Sequence, residues 1–208
     1  MAAAVTLAER GVPVTVFESG PVAGGRARRV KTEGRELDNG QHILIGAYSE
    51  LLRLMQTVGV PRDALLRLPL DLRYADGFRF RGALDLLLPG RIPLRERLGV
   101  LRFMLSLKKK SFKLDPDMSV SALLDQHGQN GVIGHYVWRP LCISALNTPP
   151  EQASAQVFAT VLRDSLAGPA GASDLLLPRV DLSRLFPEPA SAFVAKHGGE
   201  IRTGSPVR

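Results

Sequence analysis

The 208 residues are 45% apolar, enough to bury a core in one large or two small domains, which excludes a largely disordered chain. A net charge of +7 favours an anionic partner, either a phosphate-bearing cofactor or an acidic lipid surface; nucleic acid is disfavoured, since aromatics are 6% and are not interleaved with the basic residues. The one cysteine, Cys142, excludes an intramolecular disulfide framework, no Cys/His cluster has zinc-site spacing, and a reducing cytoplasm is the default compartment.

In chain order, Met1 to Arg10 reads as the end of an alanine-rich helix that stops at Gly11, where a left-handed cap is expected. Val12 to Phe17 follows as a β-branched apolar run, the pattern of a strand buried on both faces of a parallel sheet, with Glu18 at its carboxyl end. Helix, glycine, buried strand and terminal acid form the second half of a βαβ dinucleotide-binding unit, in which the acid accepts hydrogen bonds from a ribose. The strand and GxGxxG turn that open such a unit would precede Met1, and the closing HGGEIRTGSPVR feeds a short strand that completes no sheet, so the pattern predicts a chain cut at both ends. MAAAVTLAERG lacks the basic flank of a secretory signal, and no run reaches the roughly 18 apolar residues of a membrane span.

Six residues beyond Glu18 stand Gly24, Gly25 and Arg26. Paired glycines let backbone approach a pyrophosphate with no Cβ in the way, and a guanidinium holds phosphate oxygens through a fork of charged hydrogen bonds. An ordinary turn after a strand is the plainer alternative.

Further along, Leu51, Leu54, Met55 and Val58 share one face of a predicted helix over 50–58 that Gly59 ends, and 70–81 reads as a hairpin turning at Ala75, Asp76 and Gly77. Helical patterns then dominate around 94–107, 120–126 and 153–166; the Pro- and Gly-rich stretch 168–189 reads as loop, and 190–196 as a last helix. In the first of these, Leu94, Leu98, Leu101 and Leu105 make a stripe surrounded by Arg95, Arg97, Arg102 and Lys108 to Lys110. Either the leucines pack on the core with the charges solvated, or the helix lies on an anionic membrane. His127, His135 and His197 read as loop or surface residues, and Cys142 as a small buried apolar one.

VFESGPVAGGRARR and LDNGQHILIGAYSELLRLMQTVGV resemble the flavin amine oxidase and phytoene desaturase superfamily. WRPLCISALNTPPEQASAQVFATVLRDSL and SDLLLPRVDLSRLFPEPA narrow the resemblance to the hydroxysqualene dehydroxylase family, and it extends over nearly the whole chain. The resemblance implies an α/β fold: an incomplete Rossmann-like FAD-binding domain over 1–85, an inserted, mainly helical substrate or membrane-facing region over 86–189, and a return to the first domain over 190–208. It implies FAD as cofactor, with Glu18 on the adenosine ribose, Gly24, Gly25 and Arg26 beside the pyrophosphate, and Gly40, Gln41 and His42 near the flavin ring. For His42 a histidine satisfied within a polar turn is the competing reading.

The implied substrate is a long isoprenoid lipid, and the implied reaction the reductive dehydroxylation of hydroxysqualene to squalene in hopanoid or terpenoid synthesis. Carotenoid or phytoene-type desaturation and amine-oxidase-like chemistry are alternatives within the superfamily. An inactive fragment with a lipid-binding helix is the alternative of another class. Tyr136, Trp138 and Phe158 either line the substrate tunnel or are plain core. The expected location is cytoplasmic, peripheral on the inner face of the membrane through Leu94 to Lys110. No carboxyl group is singled out as a catalytic acid.

Overall fold

The computed structural model describes residues 1–40, 43–82, 85 and 90–207. The chain forms two compact units, one built from Met1–Leu68 with Asp174–Arg208 and the other from Pro69–Ser173.

The first unit begins with helix α1 (Ala2–Glu9), whose Ala4, Val5 and Ala8 are buried. Its end is a Schellman motif: Gly11 takes φ +76°, the Gly11 N–H bonds Ala8 O, and the Val12 N–H bonds Leu7 O. Strand β1 (Thr15–Phe17) then pairs in parallel with the last strand, β9 (Glu200–Arg202), in the register Val16 to Ile201. The prediction of a strand buried on both faces fails here. Val12 and Phe17 are 44% and 49% exposed, and only the alternate side chains Val14 and Val16 reach the apolar cluster made with α1. The reason is layering: α1 and the helix Pro187–Lys196 cover one face of the β1–β9 pair, while the alternate side chains Thr15 and Phe17 point the other way and stay exposed.

A hairpin of β2 (Arg29–Thr32) and β3 (Arg35–Asp38) follows, turning at Glu33 and Gly34, both at positive φ. Strand β4 (Leu44–Ile45) leads to α2 (Ser49–Thr57), whose predicted apolar face does enter the core through Leu54 and Met55. Strand β5 (Leu65–Leu68) and the late strand β8 (Leu175–Pro178) complete an antiparallel sheet in the order β4-β8-β5. The stretch 168–189, read as loop from its Pro and Gly content, therefore contains the central strand of a sheet. The unit closes with the short helix α7 (Leu182–Leu185) and with α8 (Pro187–Lys196), whose Ala190 and Val194 pack in the cluster of α1.

The second unit opens with the predicted hairpin, β6 (Leu72–Arg73) with β7 (Arg79–Phe80). Phe78 and Phe80 of this hairpin are buried in the same cluster as Phe103, Trp138 and Phe158. That packing is why the division between units falls after Leu68 and Ser173, where the sequence suggested 85 and 189. Helices α3 (Leu94–Lys109), α4 (Val120–Gln126), α5 (Arg139–Leu146) and α6 (Ala155–Ser165) supply the rest, with one π turn, Gly134–Trp138, leading into α5. Ser119 and Ser154 cap α4 and α6 by accepting from the N–H groups of Ala122 and Val157. The buried Trp138 indole donates to Gln129 Oε1 at 3.0 Å, so the one polar atom of that ring is satisfied.

Three side chains differ from or agree with expectation in an informative way. His127 sits in the turn that ends α4, as a loop residue, but is half-buried against the Phe103 ring, and burial, with Lys110 nearby, lowers its pKa. Cys142 is fully buried and burial raises its thiol pKa, as expected of an inert core cysteine. Most telling is α3, which buries Val100, Phe103 and Leu107 and leaves the stripe Leu94, Leu98, Leu101 and Leu105 exposed. The core reading of that stripe is thereby overturned.

Replacing Leu107 by Ala should destabilise the protein by about 2–5 kcal/mol, while Leu105→Ala should change stability by no more than about 0.5 kcal/mol. Denaturant unfolding of the two variants checks which face of α3 is inside; equal costs would contradict the orientation described.

Candidate functional site

The site is assembled at the carboxyl end of β1. Its register with β9 continues past the strands through backbone bonds: Glu18 N–H to Arg202 O at 2.9 Å, Ser205 N–H to Glu18 O at 2.9 Å, and Gly204 N–H to Gly20 O at 2.9 Å. Glu18 is thus pinned on both sides of its Cα. Its carboxylate folds back so that Oε1 accepts from the Gly20 N–H at 2.8 Å. Oε2 has no partner among the described residues and retains its acceptor capacity.

Gly24 and Gly25 lie in the loop that follows. At Gly24, with φ +119°, an added Cβ would meet the Ala27 carbonyl oxygen at 2.8 Å and Pro187 Cγ at 2.9 Å. Here glycine is required by space as well as by conformation. At Gly25, with φ +57°, a Cβ would meet nothing within 4 Å, so its backbone borders open space. Glu18, Gly24 and Gly25 all line one cavity of about 350 Å³, whose other wall is apolar: Val16, Leu44, Leu51, Met55 and Phe186 are among its members. A second hollow of about 840 Å³ is bordered by Arg28, Lys31 and Thr203, and the two share Ala23 and Pro187 at the Gly24 loop.

The arginines after the glycines divide by their partners. Arg29 ion-pairs with Asp181 at 3.1 Å, Glu188 at 3.0 Å and Glu36 at 3.6 Å. Desolvation works against its charge, but these carboxylates outweigh it and hold its pKa above the usual value. Its charge is spent on holding β2 against α7 and α8. Arg26 and Arg28 have no carboxylate partner among the described residues. Arg26 is exposed and does not border the Glu18 cavity, whereas Arg28 borders the larger hollow, with Nη1 3.1 Å from where a Cβ on Gly20 would stand. Of Arg26 and Arg28, it is Arg28 that lies against the Glu18 loop at Gly20, and the tripeptide Gly-Gly-Arg did not point to it. Its signal in the sequence was the second arginine of RARR, spaced to precede a strand.

The remaining sequence-derived candidates are dispersed. Gly40 lies at φ +106° after β3 and borders neither cavity; Gln41 and His42 fall outside the described residues. In the second unit Trp138 and Phe158 are 2% and 0% exposed, sealed in the core rather than lining a tunnel. Tyr136 is half-buried, stacked on Phe78 at 4.2 Å between centroids, and its hydroxyl donates to Asp76. That hydrogen bond, with desolvation, raises the Tyr136 pKa and, with others, lowers that of Asp76. Among the described residues no His, Cys, Asp and Glu group could hold a metal ion.

An acceptor with a free oxygen, glycine backbone beside open space, and an unpaired guanidinium across the loop suit a ligand that carries hydroxyls and phosphates on an apolar plate. The comparisons point the same way. The profile of the family described as "Flavin containing amine oxidoreductase" matches residues 1–208. Similar curated proteins include the hydroxysqualene dehydroxylase of Rhodopseudomonas palustris, 27% identical over 100% of this chain and 51% of the relative. That of Zymomonas mobilis is 28% identical over 97% of this chain and 50% of the relative. A zeta-carotene desaturase of Zea mays is 37% identical, but over 32% of this chain and 12% of the relative. The fold is similar to an oxidoreductase from Methanosarcina mazei, with a TM-score of 0.68 at 18% identity, covering 98% of this chain and 48% of that one. This chain spans about half the length of the curated dehydroxylases it matches.

Gly24→Ala should lower stability by about 2–4 kcal/mol through clash and strain, and Gly25→Ala by about 1 kcal/mol through conformation alone. Chemical unfolding of both variants tests the difference; equal effects would contradict the crowding described at Gly24.

Proposed function

The chain belongs to the flavin containing amine oxidoreductase family, and on that premise we propose that it is part of an FAD-dependent oxidoreductase that converts hydroxysqualene to squalene. The observation that carries the substrate assignment is coverage. Relatives named hydroxysqualene dehydroxylase align over 97–100% of the chain, both compact units included, while those named zeta-carotene desaturase match 68 residues. A desaturase likeness confined to 32% of the chain is what a shared cofactor motif alone would produce.

The residues present fit FAD. Glu18 Oε2 would accept from the ribose hydroxyls, as the acid at the end of the second strand does in dinucleotide-binding units. The Gly24-Gly25 backbone would hold the pyrophosphate with no side chain interposed, and Arg28 would offset phosphate charge. The apolar wall of Val16, Leu44, Leu51 and Met55 excludes water from that end of the cleft. Reduced flavin, when bound, would supply the hydride that replaces the allylic hydroxyl, which would leave with one proton as water.

Titrating FAD into the full-length protein should give a flavin complex with visible absorption, and Glu18→Ala should weaken it by about 10- to 100-fold, the worth of hydrogen bonds to a charged acceptor. With reduced flavin supplied, hydroxysqualene should yield squalene. Flavin binding indifferent to Glu18, or a flavoprotein that dehydrogenates phytoene and leaves hydroxysqualene untouched, would contradict the assignment.

A further inference from the structure

Helix α3 carries two apolar stripes on opposite sides. Val100, Phe103 and Leu107 are 2%, 0% and 1% exposed, whereas Leu94, Leu98, Leu101 and Leu105 are 66%, 43%, 44% and 64% exposed. At 3.6 residues per turn the four outward leucines fall within about 60° of arc along a helix about 24 Å long. Arg95, Arg102 and Lys109 run along one edge of this arc and Lys108 along the other, all exposed. None of these four cations has a carboxylate partner among the described residues. Glu96, the one acid of the helix, is half-buried and accepts from the Ile133 N–H at 3.1 Å. The outward face is therefore leucine bordered by unpaired cations, with no acid of the helix on it.

We propose that this face docks the protein on an anionic lipid bilayer, with α3 lying in the interface plane. Among the described residues the core cluster of this unit forms without the outward leucines, so its packing does not account for them. In the interface their side chains enter the acyl boundary while Arg95, Arg102, Lys108 and Lys109 remain at the depth of the headgroups. Charge decides against a second copy of this chain: a two-fold contact would bring the same cations face to face. No helix among the described residues is long and apolar enough to cross a membrane, so the contact is interfacial. This inference does not depend on the flavin assignment, because α3 shares no residue with the Glu18 cleft.

Co-sedimentation of the full-length protein with phosphatidylcholine vesicles, with and without phosphatidylglycerol, tests it. Binding should be at least about tenfold tighter on the anionic vesicles and should weaken as salt is raised. Arg102→Gln and Lys109→Gln should each weaken it by about fivefold, and the pair Leu98→Ser with Leu105→Ser by about tenfold or more, with the unfolding midpoint unchanged. Leu101→Trp provides a second readout: its emission should shift to the blue on anionic vesicles and be quenched by brominated acyl chains, against the constant signal of buried Trp138. Absence of vesicle binding, equal binding to both compositions, an unquenched Leu101→Trp, or a lipid-free dimer dissolved by the serine pair would overturn the proposal.

Discussion

The parallel register of two short strands, Thr15–Phe17 and Glu200–Arg202, is the constraint on which the cleft depends. They belong to opposite ends of the chain, and their pairing runs on into bonds at Glu18 and Gly20 that remove the freedom of the loop below them. A carboxylate held this way is presented at low entropic cost to a ligand, since its backbone is already fixed. Pro187, at the start of α8, lies so near Gly24 that an added Cβ there would meet its Cγ at 2.9 Å. Residues 15–24 and 187–205 thus form one device, although more than 160 positions separate them in sequence.

What the sequence made legible were the features with a local physical cause. Gly11 marked a left-handed helix end, Asp76-Gly77 a hairpin turn, and the spacing of Leu54 and Met55 a buried helix face. The acid and glycines that line the cleft were legible for the same reason, because a strand end followed by a glycine turn is a short-range pattern. Features set by distant partners were not. Leu175–Pro178 is a short apolar run among Pro and Gly, and only its pairing with β4 and β5 makes it a strand. The Glu33-Gly34 turn joins strands rich in charge, whose exposure weakens the alternation that identifies a hairpin. Arg28 and Arg26 are indistinguishable in composition, and only the carboxylates around Arg29 and the position of Gly20 separate their roles.

Helix α3 shows the limit of periodicity most clearly. Both of its stripes are apolar and both repeat at helical spacing, so the pattern alone predicts an amphipathic helix without saying which side faces inward. The larger ring of Phe103 and the burial of Val100 and Leu107 settle it, leaving a leucine row that looks like core exposed. The proposed water-insoluble substrate would give the protein reason to keep such a surface, since a bilayer is where an isoprenoid is available.

The central claim, that Glu18 and the Gly24-Gly25 loop hold the dinucleotide, is tested most directly by a crystal structure of the protein grown with FAD. The account predicts ribose hydroxyls within hydrogen-bond distance of the Glu18 carboxylate and phosphate oxygens beside the Gly24-Gly25 backbone on the side of Arg28. A dinucleotide bound elsewhere in the molecule, with Glu18 facing solvent, would contradict it.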